Sequence, residues 1–81
     1  MTDFYFSFGF GQPHFPGYAR ITADNMATAR AIMHINHQRK WCTGHDRFED
    51  LHPDDRRLIA SYHQNDFEKQ LESYRPQQKT S

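Results

Sequence analysis

The stretch FYFSFGFGQPHFPGY, residues 4–18, contains five of the seven Phe and two of the four Tyr residues of the 81-residue chain. Every second residue from Phe4 to Phe10 is Phe, and this alternation is typical of a β-strand with the Phe rings on one face. Residues 11–17 follow with two prolines and two glycines, which predict a connection between elements. The stretch therefore predicts a strand that ends in a loop.

The next two segments predict what pairs with this strand and what covers it. Residues 18–22 alternate again, with Ala19 and Ile21 on one face, and predict a second strand antiparallel to the first. Asp24 is the predicted N-cap of a helix over residues 25–36, whose stripe consists of Met26, Ala29, Ile32, Met33 and Asn36. Because this stripe needs an apolar partner, we expect Phe4, Phe6 and Phe8 to be core. The surface candidates are then Phe10, His14, Phe15 and Tyr18.

The remaining segments complete the predicted architecture. Residues 40–43 predict a short third strand that Gly44 ends. Pro53 is typical of a first helical position, and two apolar stripes indicate one or two helices up to Pro76: Leu58, Ile59 and Tyr62, then Phe67, Leu71 and Tyr74. The sequence thus predicts a single α+β domain over residues 1–75 and a flexible polar tail over residues 76–81. Its core would be a β-β-α-β unit, an antiparallel sheet covered by a helix, followed by the C-terminal helices.

Composition narrows the classes of function. The formal net charge is zero, which argues against a dedicated nucleic-acid-binding domain. The single cysteine, Cys42, excludes an internal disulfide. The chain has neither a basic and aliphatic leader nor the ~20 apolar residues that a membrane span needs. We therefore expect a cytoplasmic protein with no membrane partner.

One group of residues has metal-ligand chemistry. His34, His37, Cys42 and His45 form two pairs, each with two residues between its members, and resemble the ligands of a compact zinc module. The segment between the pairs lacks the turn glycine of such modules, and six histidines cluster easily by chance. Scattered histidines are therefore the favoured interpretation, and no cofactor is expected. Catalysis by Cys42 with His45 lacks a third orienting group, so we expect no enzyme and no catalytic residues.

The order of residues along the first half of the chain resembles a group of small orphan proteins encoded by phages and prophages. The resemblance covers residues 4–42 and consists of FGxGQxHFxGY from Phe8 to Tyr18, Ala29-Arg30 with Met33, and Lys40-Trp41. It implies a β-β-α-β unit and no established activity. Small phage accessory proteins commonly bind a host or phage protein, and some inhibit defence systems, as anti-CRISPR proteins do. This chain departs from the pattern at His37-Gln38-Arg39, where the relatives tend to have Phe-Gly.

These observations lead to one favoured function and two alternatives. The favoured function is stoichiometric occlusion of a host or phage protein, such as a defence protein. Its contact residues would be His14, Phe15, Tyr18, Arg39, Lys40 and Trp41, because interfaces favour aromatic and Arg anchors. The first alternative is a single-stranded nucleic-acid binder that stacks bases on the aromatic strand. The second is a small zinc-stabilised module. A monomer and a homodimer are both compatible with the sequence.

Overall fold

The sheet is built around the predicted hairpin. The structure, a computed structural model, describes residues 1–78, and side chains for residues 1–73. Strands β1 (Thr2–Ser7) and β2 (Tyr18–Ala23) are antiparallel, with Phe4 opposite Ile21 and Phe6 opposite Ala19. The other elements are α1 (Met26–His37), β3 (Gly44–His45), β4 (Leu58–His63) and α2 (Glu68–Gln78). The predicted α+β class is confirmed.

The sheet has the order β3-β1-β2-β4 and is mixed. Strand β4 is parallel to β2, with Ala19 opposite Ala60 and Ile21 opposite Tyr62. The predicted antiparallel β-β-α-β unit is confirmed by β1, β2, α1 and β3, whereas the prediction of a helix over residues 58–62 is wrong. The physical reason is that Ala60 and Tyr62 share the inner face with Ile21, while Ser61 and His63 are exposed beside Arg20 and Thr22.

The inner face of the sheet contains the core. Ten buried residues form it: Phe4, Phe6, Phe8, Ala19, Ile21, Ala23, Ala29, Ile32, Met33 and Leu71. They come from β1 and the residue after it, from β2, and from both helices. The predicted core role of the first three Phe rings is confirmed, as is their cover by the α1 stripe.

The N-terminus of α1 is capped one residue later than predicted. Asn25 is the N-cap, since its side-chain oxygen accepts a 2.8 Å hydrogen bond from the Thr28 amide. Asp24 instead forms two hydrogen bonds with the buried side chain of Gln64: its amide donates to Oε1 at 2.8 Å, and its carboxylate accepts from Nε2 at 3.0 Å. This pair fastens the end of β2 to the turn that follows β4.

The outer face of the sheet is partly covered by residues 46–57. Phe48 packs edge-on against Tyr5 and Tyr18, at ring-centroid distances of 5.7 and 5.6 Å. Leu51 is buried, and the Arg56 guanidinium lies 5.1 Å from the Phe48 ring centroid. The predicted surface position of Tyr18 is therefore wrong, because this segment buries its ring.

The third strand lies later in the chain than residues 40–43. The chain joins β1 from Cys42 onward: the Cys42 amide donates to Ser7 O at 2.8 Å, and the Ser7 amide donates to Thr43 O at 2.9 Å. Trp41 is outside this pairing because its ring packs edge-on against Phe6 and its indole N–H donates to Gln38 O. Gly44 is part of β3 and does not end it.

The C-terminal helix is α2, which extends past Pro76. Leu71 is buried, and Phe67 packs beside the core from the preceding turn, as the second stripe predicts. The side chain of Tyr74 and residues 79–81 of the predicted tail lie outside the described part of the chain. Among the described residues, no helix is both long and apolar enough to cross a bilayer.

Candidate functional site

The connection between β1 and β2 is a defined structure, which we call the aromatic loop (residues 9–17). The side-chain oxygen of Gln12 accepts a hydrogen bond from the Gly9 amide, and the Gln12 amide donates to Gly9 O at 2.9 Å. The Phe15 amide then donates to Gln12 O at 3.3 Å. Gly11 has a positive φ of 88°, a conformation that glycine adopts without steric cost. Gln12 thus organises a turn at the tip of the loop.

The base of the aromatic loop is fastened to β4. The Arg57 side chain donates from Nε to Pro16 O at 3.3 Å, and the Tyr18 amide donates to Arg57 O at 2.9 Å. Gly17 is buried at this point, and a Cβ there would lie only 2.7 Å from Ile59 Cδ1. Because β4 approaches so closely, only glycine fits at position 17. The C-terminal end of the loop is therefore held against β4.

The tip of the loop displays two Phe rings. Phe10 is 92% exposed, and its ring packs edge-on against Phe15 at a centroid distance of 5.7 Å. Phe15 is itself 41% exposed. A large apolar side chain this exposed has almost no contact with its own domain, while the backbone beneath it is hydrogen-bonded. This combination is typical of an interface anchor.

A second segment, residues 37–42, lies beside the loop. The His14 ring contacts His37 at a centroid distance of 5.6 Å, and a Cβ on Gly9 would lie 3.6 Å from Cys42 Cβ. Arg39 and Lys40 are exposed in this segment. No acidic residue occurs within residues 8–18 or 37–45. The aromatic loop therefore lies beside a segment whose charged side chains are all basic, and the two segments together form the candidate site.

The structure brings together some of the sequence-predicted contact residues. His14, Phe15, Arg39 and Lys40 lie in the two adjacent segments and are exposed. Tyr18 is excluded by its burial, and the half-buried Trp41 has its ring against Phe6. Phe10, the most exposed of the described aromatic residues, is a predicted surface residue but is absent from the predicted contact set. Its position in the Gly-Phe-Gly sequence, where no neighbouring side chain can cover it, is the signal that identifies it.

His37 is the centre of a small cluster beneath the site. Its ring packs edge-on against Phe8 and His14, and its Nε2 forms a 2.9 Å hydrogen bond with the Tyr62 hydroxyl. Burial lowers the pKa of His37, and the neighbouring His14 lowers it further. Burial raises the pKa of Tyr62. The fold therefore favours the neutral imidazole at position 37.

We expect the domain to lose stability as the pH falls below the ordinary His pKa of about 6.5, because the unfolded chain then binds a proton that folded His37 resists. The stabilisation is fully present above that value and is lost as the pH falls through the lowered pKa of the folded state. In His37→Phe, which retains a ring against Phe8, urea unfolding should show a smaller loss between pH 7.5 and pH 5 than in the parent chain. Equal losses in the two proteins would contradict this role of His37.

The four residues of the zinc alternative do not converge. His37 is bonded to Tyr62, and the His45 ring lies 3.4 Å from Thr43 Oγ1. Within residues 1–73, no group of three or more His, Cys, Asp or Glu side chains is placed to hold a metal ion. Among the described residues, the set His34, His37, Cys42 and His45 therefore does not form a metal site.

Comparisons with known proteins add no family to this description. No protein-family model matches the chain, and neither the curated proteins nor the solved structures contain a significant match.

Proposed function

We propose that this chain is a small binding protein that occludes a protein partner stoichiometrically, with Phe10 as the central anchor. Phe15 packs against the Phe10 ring, and the basic residues Arg39 and Lys40 belong to the neighbouring segment, residues 37–42. The observation that supports the proposal best is the 92% exposure of Phe10 on a loop whose backbone is hydrogen-bonded. The proposed function is binding and includes no catalytic reaction.

The exposed Phe10 ring gains binding free energy when a partner buries it. Full burial of a Phe side chain contributes roughly 1.5–3 kcal/mol. A loop already held in one conformation loses little entropy when it binds, so most of this gain is available as affinity. Phe10 is exposed before binding, and the loop that carries it is already held by hydrogen bonds. Its burial should therefore contribute most of this free energy to affinity.

The nature of the partner is proposed from the resemblance to phage and prophage proteins. This resemblance favours a host or phage protein as the partner, and a component of a defence system such as CRISPR as the target class. Occlusion by a domain of 81 residues requires no pocket and no cofactor of its own.

Stacking of nucleic-acid bases on the aromatic strand has less support. Phe4, Phe6 and Phe8 are covered by the helices, and Tyr5 lies under Phe48. The strands therefore present no free ring face of the kind that base stacking requires.

The proposal can be tested with a photo-crosslinking amino acid at position 10 of the full chain, expressed in a bacterial host. The crosslinked protein would be identified by mass spectrometry, purified and titrated with the unmodified chain. We expect a one-to-one complex. Phe10→Ala should weaken it by about 2 kcal/mol, roughly 30-fold in Kd, as expected for an anchor residue.

The matched control is Leu58→Ala, which shortens a 48% exposed apolar side chain outside the loop and should leave the Kd nearly unchanged. A Kd that Phe10→Ala does not alter would refute the anchor role. Crosslinks to nucleic acid alone, with salt-sensitive oligonucleotide binding, would favour the nucleic-acid alternative instead.

A further inference from the structure

His14 attaches the middle of the aromatic loop to the rest of the domain. Its ring packs edge-on against Phe8, which follows β1, and against His37 at the end of α1, at centroid distances of 5.3 and 5.6 Å. By contrast, Phe10 at the tip is 92% exposed, and the bond from Arg57 holds the base of the loop. The position of the loop between its tip and its base therefore depends largely on the contacts of one imidazole ring.

The backbone at His14 adds to the importance of these contacts. Its φ of 72° lies in the left-handed region, which is unfavourable for most residues other than glycine. Such a conformation persists where the surrounding contacts stabilise it. When the His14 ring loses its contacts, we therefore expect the backbone to leave this region and the loop to move away from α1.

The half-buried His37 ring lies between the loop and the sheet, and the groups that face it come from several elements. The loop contributes His14, β4 contributes the Tyr62 hydroxyl at 2.9 Å, and the residue after β1 contributes the uncharged Phe8 ring. His14 and Tyr62 are the titratable groups of this set, and His34 lies one turn earlier in α1. These surroundings suit a neutral imidazole at position 37.

Among the described side chains, no carboxylate stabilises a positive charge on His37. Residues 8–18 and 37–45 contain no Asp or Glu, and Arg39 and Lys40 add positive charge to this region. His37 is the last residue of α1, where the helix dipole favours a cation. Burial and the neighbouring His14 outweigh that effect and lower the pKa of His37. Two imidazolium rings in contact here would therefore repel each other.

Acid consequently favours a loop that has moved away from α1. Release of the loop exposes His37, which then binds a proton at the ordinary histidine pKa of about 6.5. Because release is accompanied by proton uptake, the ratio of released to docked loop rises by up to tenfold for each pH unit below about 6.5, until the lowered pKa of the docked state is reached. Above about 6.5 the docked loop is favoured.

From this arrangement we propose that His14 and His37 form a pH-sensitive contact. While both rings are neutral, the contact holds the aromatic loop against the end of α1. In acid the charged rings separate and release the loop, with the sheet intact. The proposal does not depend on the proposed partner binding, because it concerns the conformation of the free chain.

The test is NMR spectroscopy of the isotope-labelled full chain at pH 7.5 and at pH 5. At pH 7.5, NOEs should connect the His14 ring with Phe8 and His37, and the amide order parameters of Gly11, Gln12 and His14 should be about 0.85. At pH 5 these NOEs should be lost, and the three order parameters should fall below about 0.6. The amides of β1 and β2 should keep order parameters of about 0.85 at both pH values.

Two variants identify the rings responsible. His37→Gln removes the titration and retains a side chain that can bond to the Tyr62 hydroxyl, so its loop should remain docked at pH 5, with NOEs between His14 and Phe8. In His14→Asn, which tolerates a positive φ but has no ring, the loop should be mobile at both pH values. The control is His63→Asn, which replaces an exposed histidine of β4 whose N-cap role asparagine can retain, and it should behave as the parent chain does.

A loop that stays docked in the parent chain at pH 5 would overturn the proposal. Loss of structure in the loop and the sheet together would also overturn it, because the proposed transition is confined to the loop. The same conclusion follows if His37→Gln releases its loop at pH 5, or if the loop of His14→Asn stays rigid.

Discussion

Phe6→Ala should destabilise the domain by about 3–5 kcal/mol, the usual range for removing a fully buried Phe ring. Phe6 has no exposed surface and packs against Trp41 in the centre of the inner face. Small domains are stable by only about 5–15 kcal/mol in total. Urea unfolding followed by tryptophan fluorescence measures the loss, since the Trp41 ring lies 5.1 Å from Phe6, centroid to centroid.

Phe10→Ala is the matched control, because it is the same substitution four residues later in the same stretch. Phe10 is 92% exposed, so its removal should change the free energy of unfolding by no more than about 0.5 kcal/mol. Similar losses in the two variants would mean that the change from strand to loop after Phe8 does not divide core from surface in this stretch.

Gly44→Ala should also be strongly destabilising, by about 1–3 kcal/mol or more, through overpacking. A Cβ at position 44 would collide with Phe6 Cε2 and would lie 2.9 Å from Cδ2 and 3.1 Å from Cζ. The Phe6 ring cannot move away easily, because it is fully buried and Trp41 packs against it. Comparison of urea unfolding curves with the parent chain gives the loss directly.

A double-mutant cycle identifies the cause of the Gly44 effect. Phe6→Leu removes the ring atoms that the new methyl group would meet, so Gly44→Ala should cost less in that background than in the parent chain. Additive losses would show that the cost comes from the backbone of β3 and not from the Phe6 ring.

The first half of the fold could be predicted from the sequence because its signals are local. Alternation of Phe residues, a Gly/Pro connection and a helical stripe each fall within about a dozen residues, and together they predict β1, β2 and α1. The cap was misplaced by one residue because Asp24 and Asn25 are both good caps. The choice between them is made by Gln64, a contact forty positions along the chain.

The second half could not be predicted in the same way, because its structure depends on distant residues. Leu58, Ile59 and Tyr62 have a spacing that suits a helix, and only pairing with β2 makes the segment a strand. Ala60 and Ser61 are both small and differ little in hydropathy, so the alternation of inner-face and outer-face residues in β4 is weak in the sequence. The position of β4 in this mixed sheet depends on Gly17, because a side chain at that position would collide with Ile59 of β4.

The candidate site was predictable in part. Glycine and proline content placed the loop at the surface, and the exposed positions of His14 and Phe15 follow from it. The burial of Tyr18 could not be predicted from the loop composition, because the ring that covers it belongs to Phe48, thirty residues away. The proximity of residues 37–42 to the loop also depends on the length of α1, which returns the chain to that end of the sheet.

The core cluster includes Phe4 and Leu71, which lie near opposite ends of the described chain. During synthesis on the ribosome, the Phe face of the hairpin therefore stays only partly covered until residue 71 has emerged and α2 can pack. The pairing of β2 with β4 also joins segments about forty residues apart, and such non-local contacts slow folding. Until α2 packs, the Phe rings of the nascent protein are consequently accessible to chaperones.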